Sequence, residues 1–85
     1  MISSFREKVL QVVKKIPRGK TKTYKEVAAL AGNPRASRAV GSFMKQNYDP
    51  NIPCHRVIRS DGSVGDYNWG GSKKKLELLK KEGAL

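Results

Sequence analysis

Eighty-five residues with a single Cys bound one domain with one modest core and exclude an internal disulfide, so the fold has to hold without a staple and its thiol suits a reducing compartment. Eighteen Lys and Arg against seven Asp and Glu leave a net charge of +11, an excess that points to a polyanion: nucleic acid first, an anionic membrane surface second, with the solvated charge of a heat-adapted protein as the plain alternative. No stretch approaches the roughly 18 apolar residues of a membrane span, and Met1 to Val13 carries Arg6, Glu7 and Lys8 where a signal peptide needs an apolar run, so the chain reads as soluble and intracellular.

Ser4 with Glu7 reads as a capping box opening a first helix. Phe5, Val9, Val12, Val13 and Ile16 follow at helical spacing until Pro17 and Gly19 stop the run. Thr23 with Glu26 is a second box, and the short helix behind it puts Tyr24, Val27, Ala28 and Ala31 on one stripe before Gly32. Asn33-Pro34 then opens a third helix, with Pro at a first-turn position where its missing N–H costs nothing. Ala36, Val40, Phe43 and Met44 form its buried stripe, while Arg35, Arg38, Ser42 and Lys45 fall on a different face. Two short helices joined by a Gly-containing turn, the second with a basic outer face, make the helix-turn-helix pattern. The expected fold is therefore mainly α, a winged-helix-like helix-turn-helix domain with a short β or wing element, spanning residues 1–85 as one unit without repeats.

From Asn47 to Gly71 the helical period is lost. Val57-Ile58 and Val64 flank Ser60-Asp61-Gly62-Ser63, which predicts a turn with hairpin or wing character. Gly65, Gly70 and Gly71 allow the next loop to bring backbone close to a ligand. A last helix begins near Ser72, buries Leu76 and Leu79 and ends at Gly83. Lys73, Lys74 and Lys75 crowd its first turn, where the helix dipole disfavours cations. Either a nearby phosphate offsets that cost, or this is a solvated charge run with a displaced helix start.

The only Cys and the only His of the chain are neighbours in Pro53-Cys54-His55-Arg56. A lone Cys is ordinarily a small buried hydrophobe and a lone His a satisfied polar residue; side by side they also make a candidate nucleophile and base. Two such ligands cannot complete a tetrahedral metal shell, so no metal and no cofactor is expected. Neighbouring residues diverge in helix or strand, which favours a bridging water as the proton route. His55 then needs a third group to fix its tautomer, and Glu82 is one candidate among seven acids.

Pro53-Cys54-His55-Arg56-Val57-Ile58, preceded by Asn47 and by Arg38-Ala39-Val40-Gly41, resembles the C-terminal domain of O6-alkylguanine-DNA alkyltransferases. The resemblance runs from Phe5 through Ile16-Pro17, Gly19, Thr23-Tyr24, Gly32-Asn33-Pro34 and Tyr67 to Glu82-Gly83. It implies that Cys54 accepts the O6-alkyl group irreversibly in a single turnover, as the thiolate. His55, reached through water and steadied by Glu82, would take the thiol proton, and Asn47 would tie the recognition helix to the segment carrying the Cys. Tyr24 would crowd the backbone phosphate and give a proton to the departing purine. Arg38 would enter the stack from the minor-groove side, with Ala36 and Ser37 small enough to let the helix sit deep. Arg35, Ser42 and Lys45 would complete the DNA face. The pocket for the extruded base would comprise Met44, Tyr67 and the Gly65–Gly71 loop with Asn68 and Trp69. Backbone carbonyls at Cys54 and Val57 would meet the exocyclic amine. The partner implied is double-stranded DNA containing O6-alkylguanine, met by a cytoplasmic or, in a eukaryote, nuclear monomer.

Two departures from the family pattern stand out. The additional N-terminal domain that most members carry is not in this sequence. The Gly65-Asp66-Tyr67-Asn68-Trp69-Gly70-Gly71 loop reads one residue longer than the common pattern, and Trp69 is positioned either to wall off the pocket, to stack on a base, or to fill space left by the missing domain. Two rival readings use the same fold. Alkyltransferase-like proteins bind the lesion and hand it on, generally with the acceptor Cys replaced, commonly by Trp. A transcription regulator would need base-reading Asn or Gln on the second helix, and Arg35–Lys45 offers none.

Overall fold

The computed structural model describes residues 4–65 and 67–85. Residues 1–3, where the stretch read against a leader begins, and Asp66, within the predicted glycine-rich loop, lie outside them. Among the described residues there are four α-helices and a two-stranded sheet. None of the helices is long and apolar enough to cross a membrane.

Helix α1 spans Phe5–Lys14, and the Ser4 hydroxyl accepts the Glu7 N–H at 3.1 Å, the forward half of the predicted box. Val9 and Val13 are buried. Ile16 is buried too, but in a tightened exit turn beyond the helix, its N–H bonded to the Val13 carbonyl. Helix α2, Tyr24–Leu30, has the complete capping box: Thr23 Oγ1 accepts from Glu26 N–H at 3.0 Å and Glu26 Oε1 accepts from Thr23 N–H at 3.1 Å. Val27, Ala28 and Ala31 form its buried stripe, as the spacing predicts.

Helix α3 runs Ser37–Lys45, starting later than Asn33-Pro34. Asn33 forms a turn instead, its side-chain oxygen accepting the Arg35 N–H and its carbonyl the Ala36 N–H; this local bonding competes with helix entry. Val40 and Met44 are buried, whereas Ala36 and Phe43 are half-buried, Phe43 packing against Phe5 with ring centroids 6.1 Å apart. The core lies where α1, α2 and α3 meet.

The predicted hairpin is corrected. The turn exists, with Arg59 N–H bonded to the Ser63 carbonyl and Asp61 accepting from Ser63. Val64 nevertheless lies outside any strand. The strand Val57–Ile58 (β2) pairs instead in parallel with Lys22–Thr23 (β1), in register Lys22 to Val57 and Thr23 to Ile58. Both β2 residues are buried, so their ladder closes inside the molecule rather than out along a wing. The consequence is positional. β1 runs directly into Tyr24 at the start of α2, and β2 follows directly on the 3-10 turn Cys54–Arg56, so a two-residue ladder fixes Tyr24 and Cys54 relative to each other.

Helix α4 spans Gly71–Lys81. Leu79 is buried as expected, but Leu76 is only half-buried, and its expected place inside is taken by Lys75, 1% exposed. Of the three lysines in the first turn, only Lys73 and Lys74 are solvated.

Candidate active site

Cys54 opens a 3-10 turn rather than a strand or α-helix. Its N–H bonds to the Ile52 carbonyl at 2.8 Å, and its carbonyl accepts the Val57 N–H. The side chain is 6% exposed and lines a cavity of about 140 Å³ with Tyr24, Gly41, Met44, Lys45, Arg59, Tyr67 and Asn68. Burial pushes the thiol up; a hydrogen bond from Asn47 and the charge of Lys75 pull it partly back. A thiol held protonated in this way needs a base before it can act as a nucleophile.

The residue expected as that base has a partner. His55 Nε2 lies 3.1 Å from Glu82 Oε1, across a gap that brings the end of α4 onto the Cys54 turn. Arg56 fixes the carboxylate, donating from Nε to Oε1 at 3.0 Å and from NH2 to Oε2 at 2.7 Å, while NH1 donates to the Ile16 carbonyl at 2.8 Å. The Arg56 fork, with His55, holds the Glu82 carboxyl down at about 2, so it stays ionised and able to orient the imidazole. Tyr67 stands edge-on to His55 at 6.2 Å between centroids. Burial, with the neighbouring Cys54 and Glu82, pushes its phenol up.

Two asparagines fasten this turn to the end of α3. Asn47, 6% exposed, donates to the Asp49 and Ile52 carbonyls and accepts the Asp49 N–H. Asn68 donates to the Met44, Lys45 and Asn47 carbonyls, satisfying acceptors that a helix end leaves open. On the opposite wall Lys75 Nζ donates to Tyr24 Oη at 3.2 Å and sits 5.5 Å from its ring centroid.

The structure gathers Tyr24, Met44, Cys54, Tyr67 and Asn68 around one cavity, with Asn47 at the thiol and the His55–Glu82 pair on the adjoining turn. Gly65 approaches the same wall, since a Cβ there would stand 3.3 Å from Tyr24 Oη. Of the other predicted pocket residues, Val57 is expected to act through its backbone carbonyl rather than its side chain, and Trp69 falls elsewhere. The Val57 side chain is fully buried in the ladder. Trp69 lines a second cavity, which also touches Cys54 and Tyr67, with Pro50, Ile52 and Leu78, and leans on Tyr48 at 6.0 Å between ring centroids. Arg35, Arg38, Ser42 and Lys45 are exposed, with Ala36 and Ser37 half-buried at the start of α3. Ser37 and Arg38 line a shallow groove that shares Tyr24, Gly41 and Arg59 with the thiol cavity.

Sequence reasoning missed Lys75, Arg56, Gly41 and Arg59 as site residues. Lys75 was findable, because it precedes Leu79 by one helical turn and so shares its stripe. The reach of Arg56 to both Glu82 and Ile16 had no local signal.

These features define a helix-turn-helix domain with a buried thiol on a small cavity and a His–Glu pair beside it in sequence and space. The family profile described as 6-O-methylguanine DNA methyltransferase, DNA binding domain, matches residues 4–84, and the chain belongs to that family. It is 51% identical over 82 residues to the methylated-DNA–protein-cysteine methyltransferase of Mus musculus, covering 94% of this chain and 39% of that protein. The crystal structure of Mycobacterium tuberculosis OGT in complex with DNA superposes with a TM-score of 0.86 at 37% identity, over 96% of this chain and 50% of that one. That of S. pombe Atl1 in complex with damaged DNA containing O6-carboxymethylguanine gives 0.83 at 34% identity, over 98% and 79%.

Proposed function

We propose that the protein repairs DNA by direct reversal, extruding an O6-alkylguanine from the duplex and transferring its alkyl group irreversibly to Cys54. The observation that carries this reading is the placement of the Cys54 sulfur on the wall of a cavity whose rim continues into the basic groove of α3. His55, oriented by Glu82, takes the thiol proton through water; the thiolate displaces the alkyl carbon from O6, and the Tyr24 phenol protonates the departing purine. A thioether has no ready leaving group, so each molecule acts once. Arg38 fills the vacated place in the stack, while Arg35, Ser42 and Lys45 meet the backbone, with Ala36 and Ser37 allowing close approach. Backbone contacts of this kind give affinity without sequence choice, which suits a protein that searches for lesions. The protein works as a monomer, without cofactor, wherever the cell keeps its DNA.

The test is intact mass after incubation with a duplex carrying one O6-methylguanine. One methyl gained, at Cys54, and none in Cys54→Ser is the expected result; no gain in the native protein would overturn the reading. The similarity to Atl1, of which the chain covers 79%, supports a second reading, lesion recognition with hand-over to another repair pathway. Tight binding of the lesion duplex with no change in mass would establish that one instead.

A further inference from the structure

Arg59 stands where two surfaces meet. The thiol cavity and the shallow groove beside α3 share Tyr24, Gly41 and Arg59, and among the described residues Arg59 is the one cation that lines both. Its backbone is held on both sides. It follows directly on β2, whose two residues are buried. Its N–H then bonds to the Ser63 carbonyl at 2.9 Å, and its carbonyl accepts the Gly62 N–H at 3.0 Å. The side chain runs over Gly65, where a Cβ would lie 3.4 Å from Arg59 Nε, 3.6 Å from Arg59 Cγ and 3.3 Å from Tyr24 Oη. The guanidinium and the Tyr24 phenol therefore border one gap, kept open by a glycine.

Among the described residues no carboxylate pairs with Arg59. Asp61, two residues on, accepts instead from the Ser63 N–H at 2.9 Å and hydroxyl at 2.7 Å, and feels Arg59 only through its charge. Glu82 is taken by Arg56. The groove adds Lys25 and Arg38 to its lining and no acid. An exposed guanidinium fixed at such an edge suits a phosphate, which it can meet with two parallel N–H donors.

We propose that Arg59 binds a backbone phosphate flanking the extruded nucleotide, and so holds that nucleotide while its base lies in the thiol cavity. This rests on the reading that an O6-alkylguanine is extruded into that cavity. A nucleotide with its base in the cavity and its strand along the α3 groove has to cross the edge between them. Its sugar and phosphate are the parts that cross. A free base carries neither, so Arg59 serves the duplex reaction and not the chemistry at sulfur. It differs in this from Arg38, which meets the stack rather than the strand.

The experiment measures single-turnover methyl transfer from three lesion duplexes. One is unmodified; in the others a neutral methylphosphonate replaces the phosphate on the 5′ or on the 3′ side of the lesion. Native protein is compared with Arg59→Ala and Arg59→Lys. On the unmodified duplex Arg59→Ala should slow transfer on the order of 10- to 100-fold, the scale of a hydrogen bond to a charged group. Arg59→Lys, which keeps the charge without the fork, should recover part of that loss. One of the two methylphosphonates should slow the native protein by a similar factor and cost Arg59→Ala almost nothing more. Free O6-benzylguanine should react with all of these proteins at close to the native rate.

A purely structural Arg59 would not give that non-additivity between side chain and phosphate. The proposal falls if each methylphosphonate slows native protein and Arg59→Ala by the same factor, if neither slows the native protein, or if Arg59→Ala keeps the native rate. Equal slowing of Arg59→Ala on duplex and free base would place its role inside the cavity and overturn the proposal as well. If Arg59→Ala does not fold, Arg59→Gln carries the same comparison. Absence of methyl transfer by the native protein would instead remove the repair reading, with the coupling to the phosphate still measured by the affinities of the same duplexes.

Discussion

Arg56 holds Glu82 by both oxygens, at 3.0 and 2.7 Å, and so ties the last turn of α4 to the turn that carries Cys54. With its remaining nitrogen on the Ile16 carbonyl, the same guanidinium collects the exit of α1, the Cys54 turn and the C-terminus at one point. The planar fork suits this task in a way a lysine would not. His55 then meets a carboxylate that is already fixed.

The pairing makes acid stability depend on Glu82. Its carboxyl is held at about 2 against an ordinary 4.5. A depressed carboxylate contributes stability that is present above the ordinary value and disappears as pH falls through the folded one. The contribution at neutral pH is about 1–2 kcal/mol after discounting for solvent screening. Glu82→Gln should lose that amount at neutral pH and show a flatter decline across the acid window, measured as urea midpoints against pH. Parallel curves for variant and native protein would count against the assignment.

Asn47 touches the thiol chemistry directly. Its hydrogen bond favours the thiolate against the burial that raises Cys54. In Asn47→Ala the thiol should therefore titrate at still higher pH, followed by thiolate ultraviolet absorbance, and react more slowly at neutral pH. The variant should also lose about 1–3 kcal/mol, because the Asp49 and Ile52 carbonyls and the Asp49 amide lose their partner. An unmoved thiol midpoint would show that Asn47 only braces the loop.

What the sequence disclosed was whatever one turn of chain decides. Thr23 and Glu26 cap α2 because both halves of their box lie within three residues, and Val27, Ala28 and Ala31 follow from helical period alone. The Cys-His neighbours were visible for the same reason, and the family resemblance supplied Glu82, which no spacing selects. The parallel pairing of Lys22–Thr23 with Val57–Ile58 was hidden, since two-residue strands carry no alternation and their partners lie on opposite sides of the helix-turn-helix. The start of α3 was misplaced because the Asn33 side chain closes a turn of its own. Lys75 was read by its charge rather than its place on a helical stripe.

Gly65 tests the pocket wall. It has φ +74°, and an added Cβ would meet Tyr24 Oη at 3.3 Å and Arg59 Nε at 3.4 Å, whereas Gly62, at φ +90°, has open space. Both Gly65→Ala and Gly62→Ala should lose about 1–2 kcal/mol from the left-handed backbone. Only Gly65→Ala should also slow methyl transfer, because it alone displaces the phenol. Equal transfer rates in the two variants, at matched stability, would separate the loop from the reaction.

Arg38 tests the entry of DNA. It is exposed at the start of α3 and lines the groove that shares Tyr24, Gly41 and Arg59 with the thiol cavity. A side chain that replaces the extruded base matters only when there is a stack to fill. Arg38→Ala should therefore slow transfer from a lesion duplex on the order of 100-fold, the scale of the unstacking it no longer offsets. Reaction with free O6-benzylguanine, which has no stack, should stay close to native. Comparing the two substrates in one variant separates the finger from the chemistry: equal slowing on both would place the fault at the thiol cavity and remove Arg38 from the proposed DNA face.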